Sequence, residues 1–329
     1  MKGLILCAGK GTRLQPFSNI KPKGLLPVAN KPLIFYGIEK LVELGISEIG
    51  VVIRQPYYEM FLEEVGMGDR WGVHITYIFQ KNPLGISDAV KYSESYIQGE
   101  PFILLLGDNL ITETLHRMKE AMMEEGHDAS ILLREVANPK AFGIAEVNED
   151  KIIGLEEKPA MPKSNLAVLG AYAFKPSIFQ AIHAIKPSPR GEYEITDAIQ
   201  WLIEKQYSIS YQITHKNFSD VGTMEGWLGA NQWMLDQMEE EGLLDYTFRD
   251  SHAGTTFIHP VCIDPTAEVI DCVIGPYVTI GPNVRLNSCK LENSILLEYA
   301  ILNPHHYPMT NSIISPQSVF IQNSGGSDK

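Results

Sequence analysis

No apolar run in this sequence approaches the roughly 18 residues that a membrane-spanning helix needs. The opening MKGLILCAGKG starts like a secretion leader, but its apolar run, Leu4 to Ala8, is too short and glycines follow at once. These features argue against a membrane partner and predict a cytoplasmic protein. Cysteine is scarce: Cys7, Cys262, Cys272 and Cys289 show no metal-ligand spacing, which predicts buried, reduced thiols. Positive charge is in deficit, with 27 Lys and Arg against 40 Asp and Glu, and the net charge of −13 argues against a nucleic-acid surface. Low-complexity sequence is confined to residues 323–329, an expected disordered tail.

What is present is the composition of an ordinary globular protein, 44% apolar and 20% charged. Its 329 residues exceed what one core usually organises, so two domains are expected. In a chain this acidic, binding a triphosphate requires positive charge to be gathered locally. Lys10, Arg13, Lys21 and Lys23 form such a cluster.

The first 136 residues alternate strand and helix patterns. Strands are predicted at 2–7, 48–53, 74–80, 102–108 and 128–136, and helices at 33–44, 57–65, 85–97 and 113–125. Apolar runs bounded by glycine, such as KGLILC, read as buried parallel strands. The alternation predicts an α/β fold, a mostly parallel Rossmann-like sheet with helices on both faces. Ligands bind such sheets beyond the carboxyl ends of the strands, which directs attention to the loops after Cys7, Gln80 and Asp108. Beyond residue 140 strand patterns crowd at 143–147, 151–157 and 167–175, and they are expected to lie over the parallel sheet as a wall and lid. Helices at 177–184, 195–205 and 223–240 and a strand at 207–213 complete this part. From about 255 the period changes. IGPYVT (274–279) is followed at once by IGPNVR (280–285), and the six-residue register extends imperfectly to Ile263, Val269 and Leu286. An aliphatic residue at every sixth position is the signature of a parallel β-helix, which NPHHYP (303–308) is expected to interrupt.

The strongest chemical signal is LILCAGKGTRL (4–14), a strand running into Gly9, Gly11, Thr12 and Arg13. Glycines let backbone amides approach phosphate oxygens, and arginine neutralises them with fixed donors. The stretch is not a P-loop, because G-x-x-x-x-G-K-[ST] is absent. It is a poor dinucleotide fingerprint, because Leu14 stands where the third glycine belongs and the second strand ends in Arg54. Downstream, KPKGLLPVANKPL (21–33) supplies lysines. Lys23 is the candidate catalytic cation, able to follow a phosphoryl group through the transition state, while Lys21 and Lys31 read as solvated.

Taken in order, GKGTRL (9–14), KPKGLLPVANKPL (21–33), GDN (107–109) and EEKP (156–159) resemble the nucleoside-diphosphate-sugar pyrophosphorylases. They most closely resemble the longer glucose-1-phosphate thymidylyltransferases, which end in a left-handed β-helix. The likeness covers nearly the whole chain. It implies a nucleotidyltransferase domain over 1–245 and a hexapeptide-repeat left-handed β-helix over 246–322. It implies transfer of a nucleotidyl group from a nucleoside triphosphate, with dTTP the family's choice, to a sugar 1-phosphate such as glucose 1-phosphate, with release of pyrophosphate and Mg²⁺ as cofactor. Residue by residue, Arg13 and Lys23 match the catalytic cations. Ala8, Gly9, Gly11, Thr12, Arg13, Gln80, Pro83, Gly85 and Asp108 match nucleotide-binding positions. Gly143, Glu157, Lys158, Gly170 and Tyr172 match sugar-phosphate-binding positions, and Asp108 and Asp220 match the metal carboxylates.

Three positions depart from that pattern. Gly24 replaces the glutamine that follows the second-motif lysine and helps read the base, Phe218 replaces a tryptophan, and Val221 replaces a threonine. Gly24 leaves UTP open as a substrate, and after it another nucleoside triphosphate, a purine nucleotide included. Two other readings stand beside the nucleotidyltransferase one: a bifunctional enzyme whose β-helix is a sugar N-acetyltransferase, and a non-catalytic regulator that binds nucleotide sugars. The aliphatic coils, with an uncapped end, predict self-association. Light scattering is therefore expected to give a dimer or larger, and a mass at the monomer's 36.7 kDa would contradict this.

Overall fold

KGLIL is apolar on both faces and forms β1 (Lys2–Leu6), with Leu4 and Ile5 fully buried. Four strand–helix alternations follow, as the sequence pattern requires: α1 (Leu33–Glu43), β2 (Glu48–Ile53), α2 (Tyr58–Val65), β3 (His74–Phe79), α3 (Ile86–Tyr92), β4 (Phe102–Leu106) and α4 (His116–Met123). Then come β5 (Ala129–Glu135), β6 (Gly143–Asn148), β7 (Lys151–Glu157), β8 (Leu166–Phe174), α5 (Ile178–Ala184), α6 (Ile195–Glu204) and β9 (Ile209–Ile213). The chain is seen in a computed structural model that describes residues 1–247, 254–303 and 308–322. The expected tail, and most of the expected break at NPHHYP, lie outside the described residues. Two compact units emerge, one of Met1–Lys10 with Ile34–Phe218, the other of Gly11–Leu33 with Ser219–Lys329.

In the first unit nine strands form one sheet, in the order β7-β6-β8-β4-β1-β2-β3, with β5 also paired to β8 and β9 to β5. β1 runs parallel to β2 (Leu4↔Gly50) and to β4 (Leu4↔Leu104), and β2 parallel to β3 (Ile49↔Ile75). Their carboxyl ends carry Cys7, Gly107 and Gln80, as expected for a ligand-binding edge. The strands expected to lie over this sheet as a lid instead continue it: β8 pairs antiparallel with β4 (Ala171↔Leu105), with β5 and with β6. The reason is in its sequence. LAVLGAYAF is buried at all nine positions, the pattern of a central strand covered on both faces. The helix expected over 85–97 breaks at Ser93. That side chain is fully buried and donates to its own Val90 carbonyl (2.6 Å), competing with the helical ladder.

The second unit is built on α7 (Met224–Glu240). Thr223 caps it by accepting from Gly226 N (3.0 Å). Residues 11–33, rich in proline and glycine, form no long element. They make single turns at Thr12–Leu14 and Lys23–Leu25 and a hairpin of Pro27–Val28 with Lys31–Pro32. The hairpin turns through Ala29 and Asn30, whose φ values of 48° and 61° are left-handed. Trp227 of α7, fully buried, gathers this segment. Its ring meets Phe17 edge-on at 5.8 Å, and its Nε1 donates to Pro27 O (2.7 Å). Toward the C-terminus short strands pair in parallel at a nearly constant offset: Val261↔Val278, Glu268↔Arg285 and Val273↔Lys290. Each pair is 17 residues apart (278 − 261, 285 − 268, 290 − 273). The six-residue apolar positions Ile274, Ile280 and Leu286 are all buried, in a core shared with Val261, Val269 and Leu291. A short antiparallel strand, Val319–Ile321, closes this series against Met309–Ile314.

Because Trp227 both fills the core of this unit and satisfies a proline carbonyl, Trp227→Ala is expected to cost about 3–5 kcal/mol. Trp227→Phe should cost less, losing the hydrogen bond and part of the ring. Urea denaturation of the three proteins checks the ranking, which fails if alanine and phenylalanine are equally tolerated.

Candidate active site

At the sheet edge of the first unit, the ladder ends with Cys7 N donating to Val52 O (2.7 Å) and Gly107 N to Leu6 O (2.9 Å). Gly107 has to be glycine, because a Cβ there would collide with Cys7 Sγ. The chain turns immediately after it and presents Asp108, which is partly exposed. Asn109, its amide orientation fixed by its neighbours, donates to Asp108 Oδ1 (2.9 Å) and accepts from Gly170 N (3.2 Å). A Cβ on Gly170 would collide with that amide. Gly170 therefore serves by letting Asn109 orient the acid. Ala8 is buried, whereas Gly9 is exposed and differs from most other glycines of the site. A Cβ at Gly9 would meet no atom within 4 Å, and its φ is not left-handed. Among the described residues, no atom stands where a side chain at this position would begin.

Gln80, 3% exposed, donates through Nε2 to Asp88 Oδ2 (2.7 Å), which fixes the direction of its amide. The loop beyond it passes half-buried Pro83 to Gly85, whose φ is 113°. A Cβ on Gly85 would stand 2.5 Å from Tyr193 O, so the loop can lie against residues 193–194 only with glycine here. Tyr193 N donates to Leu84 O (2.7 Å), and Ser87 Oγ to Glu194 O (2.9 Å).

A charged wall occupies the far part of the same unit. Glu157 accepts from Thr196 Oγ1 (3.2 Å) and Arg190 Nη1 (3.3 Å), and Lys158 Nζ lies 3.9 Å away. Arg190 also reaches Glu194 (3.3 Å), whose Oε1 accepts from Ser188 (2.9 Å). A Cβ on Gly143 would press on Thr196 Cγ2 (2.6 Å) and Glu157 Oε2 (3.1 Å). Of the five expected sugar-phosphate positions, Gly143, Glu157 and Lys158 are thus brought together. Gly170 lies by Asn109, and Tyr172 is 3% exposed in the main core, stacked on Phe174 at 5.7 Å. Burial pushes the Tyr172 phenol up, and the Glu157 charge adds to the shift. Arg190 and Thr196 lie in RGEYEITDAI (190–199), a stretch that also fits the family resemblance, and Asn109 lies in GDN, but the sequence assigns none of them, nor Asp88, an individual role; that of Arg190 depends on which carboxylates lie beside it.

The second unit carries the other cations. Lys23 Nζ lies 3.4 Å from Asp220 Oδ1, with the lysine side chain 11% exposed and the aspartate's 46%. A Cβ on Gly222 would come within 2.9 Å of both Arg13 Nη2 and Asp220 Oδ1. Arg13 and Asp220 therefore meet at one glycine, and Lys23 reaches the same aspartate. Gly11, at φ 63°, shapes the approach, and its carbonyl accepts from Ser18 Oγ (2.7 Å). Thr12 is exposed in the turn that follows. Gly24 is buried within the Lys23 turn, and Lys21 and Lys31 are partly buried rather than fully solvated. Among the described residues, no three His, Cys, Asp or Glu side chains gather into a protein-only metal cage. The four cysteines form no disulfide, with Cys262 partly buried and the others buried.

Three comparisons bear on this arrangement. The family description Nucleotidyl transferase matches residues 2–237. A glucose-1-phosphate thymidylyltransferase of Streptomyces antibioticus is 37% identical over 311 residues, covering 90% of this chain and 87% of its own. Among solved structures, a Bacillus anthracis protein assigned as a glucose-1-phosphate thymidylyltransferase, in complex with sucrose, is similar at TM-score 0.66 and 34% identity, over 70% of this chain and 94% of that one. A UDP-glucose pyrophosphorylase complexed with UDP-glucose is similar at TM-score 0.64 and 27% identity, over 72% and 98%.

The charged wall has a pH signature. Burial raises the Glu194 pKa above its ordinary value of 4.5, Glu157 adds to the shift, and Ser188 and Arg190 oppose it. A carboxyl raised in the folded state contributes stability that is fully present below its unfolded pKa and is lost as pH rises through the folded value. Glu194→Gln cannot ionise. Its melting temperature is expected to gain on the parent's as pH rises from acid to neutral. A difference that stays constant over that range would contradict the assignment.

Proposed function

Because the chain belongs to the nucleotidyl transferase family, we propose that it is a sugar-1-phosphate nucleotidyltransferase that joins dTTP to glucose 1-phosphate, giving dTDP-glucose and pyrophosphate. The observation that carries this reading is the meeting of Arg13 with Asp220 at Gly222, with Lys23 beside the same aspartate. Two cations and a carboxylate, with Arg13 and Asp220 exposed, are suited to a polyphosphate. Gly9, exposed and with room about it among the described residues, is compatible with a ligand approaching the backbone.

No covalent intermediate is needed. A phosphate oxygen of the sugar 1-phosphate attacks the α-phosphorus, a new P–O bond forms, and the bond to the β-phosphate breaks as pyrophosphate leaves. Arg13 and Lys23 neutralise the oxygens that gain charge, and Lys158 holds the attacking phosphate. Glu157, steadied by Thr196 and Arg190, accepts from sugar hydroxyls. Gln80, turned by Asp88, keeps its carbonyl oxygen for the imide N–H of the base. Asp108 and Asp220 fit Mg²⁺ in donor chemistry. Both are oxygen ligands at partly exposed positions, and Mg²⁺ commonly binds through one or two carboxylates with phosphate oxygens and water completing the shell. When bound, Mg²⁺ neutralises phosphate oxygens and orients them for in-line displacement.

UTP is the second reading. It is favoured by Gly24, which lacks the side chain that would help read the base, and the likeness to a UDP-glucose-binding protein supports it. We further propose that residues 1–245 form the catalytic domain and 246–322 a left-handed β-helix, as the 17-residue parallel offsets suggest. The β-helix would serve packing and assembly of a homo-oligomer. A cytoplasmic location fits the substrates, and no described helix is long and apolar enough to cross a membrane.

Pyrophosphate release with Mg²⁺, across five nucleoside triphosphates and several hexose 1-phosphates, tests the reading. A maximum at dTTP with glucose 1-phosphate is expected. A maximum at UTP moves the base assignment to the second reading, and silence in every well with folded protein overturns both. Lys23→Ala is expected to keep the fold and lose about 10²–10³ in turnover. Near-normal turnover would remove Lys23 from the mechanism.

A further inference from the structure

Lys23 sits on a segment with little internal structure, so something must fix it. Its turn is joined to the next hairpin by Leu26 N donating to Lys23 O (3.1 Å) and Leu33 N donating to Leu26 O (3.0 Å). The tip of that hairpin, Ala29 and Asn30, is left-handed at both residues. Several polar contacts hold it, among them Asn30 Nδ2 donating to Cys262 Sγ (3.6 Å). Ala29 N donates to Asn231 Oδ1 (2.9 Å), Asn30 Nδ2 donates to Ile280 O (2.7 Å), and Cys262 Sγ lies 3.8 Å from Ala29 O. Asn231 is fully buried on α7, and the same Oδ1 accepts from Thr279 Oγ1 (2.9 Å) of IGPYVT. Its Nδ2 is buried and has no hydrogen-bond partner among the described residues.

A buried amide nitrogen without a partner costs stability. Packing alone would be served by an apolar side chain of similar volume. The oxygen, by contrast, has two donors that come from opposite sides of the sequence, one in the cationic segment and one in the six-residue repeats. We propose that Asn231, locked by Thr279, is a positioning residue for Lys23: through the Ala29 hairpin it sets where the ammonium stands beside Asp220. The repeat region then takes part in turnover by holding the catalytic lysine's segment, in addition to any role in assembly. This rests on Lys23 being the catalytic cation.

Asn231→Leu, close in volume, removes the acceptor. The first readout does not need activity: modification of Lys23 by an amine-reactive acetylating reagent, followed by mass spectrometry, with Lys40 as internal control. Lys23 is expected to react several-fold faster in Asn231→Leu, with Lys40 unchanged. The second readout is kinetic. kcat is expected to fall about tenfold or more with KM changed by less than about twofold, and in a Lys23→Ala background the same substitution should change kcat by less than about twofold. An unchanged Lys23 modification rate, or an equal fold-loss in both backgrounds, overturns the proposal, because a general structural lesion would multiply with loss of the lysine. Should Asn231→Leu fail to fold, Thr279→Val carries the same expectations at smaller size, and Thr279→Ser should restore the parent values. If the parent itself turns over no sugar 1-phosphate, the activity reading fails, while the labelling still decides whether Asn231 positions Lys23.

Discussion

A stretch of 23 residues (33 − 11 + 1) carries both cations of the proposed chemistry and cannot build a core of its own. Residues 11–33 contain four prolines and two glycines, and beyond the single helical turn Phe17–Ile20 no long helix or strand organises them. Their order has to be imported. Trp227 takes the Pro27 carbonyl and the face of Phe17, Asn231 takes the Ala29 amide, and Ile280 takes the Asn30 side chain. All three partners lie at least 200 positions away in the chain, the nearest being Trp227 with Pro27 (227 − 27). The long helix α7 and the repeat strands are thus what make Arg13 and Lys23 a defined pair of charges.

In the first unit the corresponding constraint is steric. Gly107, Gly143, Gly170 and Gly85 each occupy a place where a Cβ would strike a named neighbour: Cys7, Thr196, Asn109 and the Tyr193 backbone. Each contact fixes a polar group. Gly170 leaves room for Asn109, which donates to Asp108, and Gly143 leaves room for the Thr196–Glu157 pair. The apolar sheet behind them, with β1, β4 and β8 buried along nearly their whole length, keeps these close approaches from relaxing.

Much of this was legible in the sequence. The alternation of apolar runs with amphipathic stretches located the strands and helices to within a few residues, because burial of a strand or of one helix face leaves a local period. The six-residue repeat around IGPYVT and IGPNVR located the parallel strands for the same reason. The misplaced features have no local period. Nothing within LAVLGAYAF tells a central strand of an existing sheet from one in a separate layer; that depends on which edges remain unpaired. Ser93 ends a helix only because its hydroxyl is buried against its own Val90 carbonyl. The sequence assigns Arg190 and Asn231 no individual role, because their significance lies in partners distant along the chain, and single residues carry no such label. The glycines could be counted but not sorted. Only the structure separates Gly170, required by Asn109, from Gly9, which no atom of the described residues crowds.

That sorting bears on how an acidic protein holds phosphate. In each unit, candidate cations lie beside carboxylates: in the second Lys23 by Asp220, in the first Lys158 by Glu157 and Arg190 by Glu157 and Glu194. In a chain of net charge −13, unpaired cations would be drawn to carboxylates in any case, and pairing fixes which ones. Phosphate binding is then an exchange of partners more than an addition of charge. It gains where the displaced carboxylate has another role to take up, and for Asp220 the proposed role is the metal. On that proposal the two ligands would be coupled through Lys23 and Asp220: a cation held by the aspartate would free the lysine for phosphate, and phosphate drawn to the lysine would leave the aspartate to the cation. Linkage of this kind requires the lysine to stand within reach of both, at a distance of ångströms, which is why the distant supports of residues 11–33 matter to the chemistry as well as to the fold.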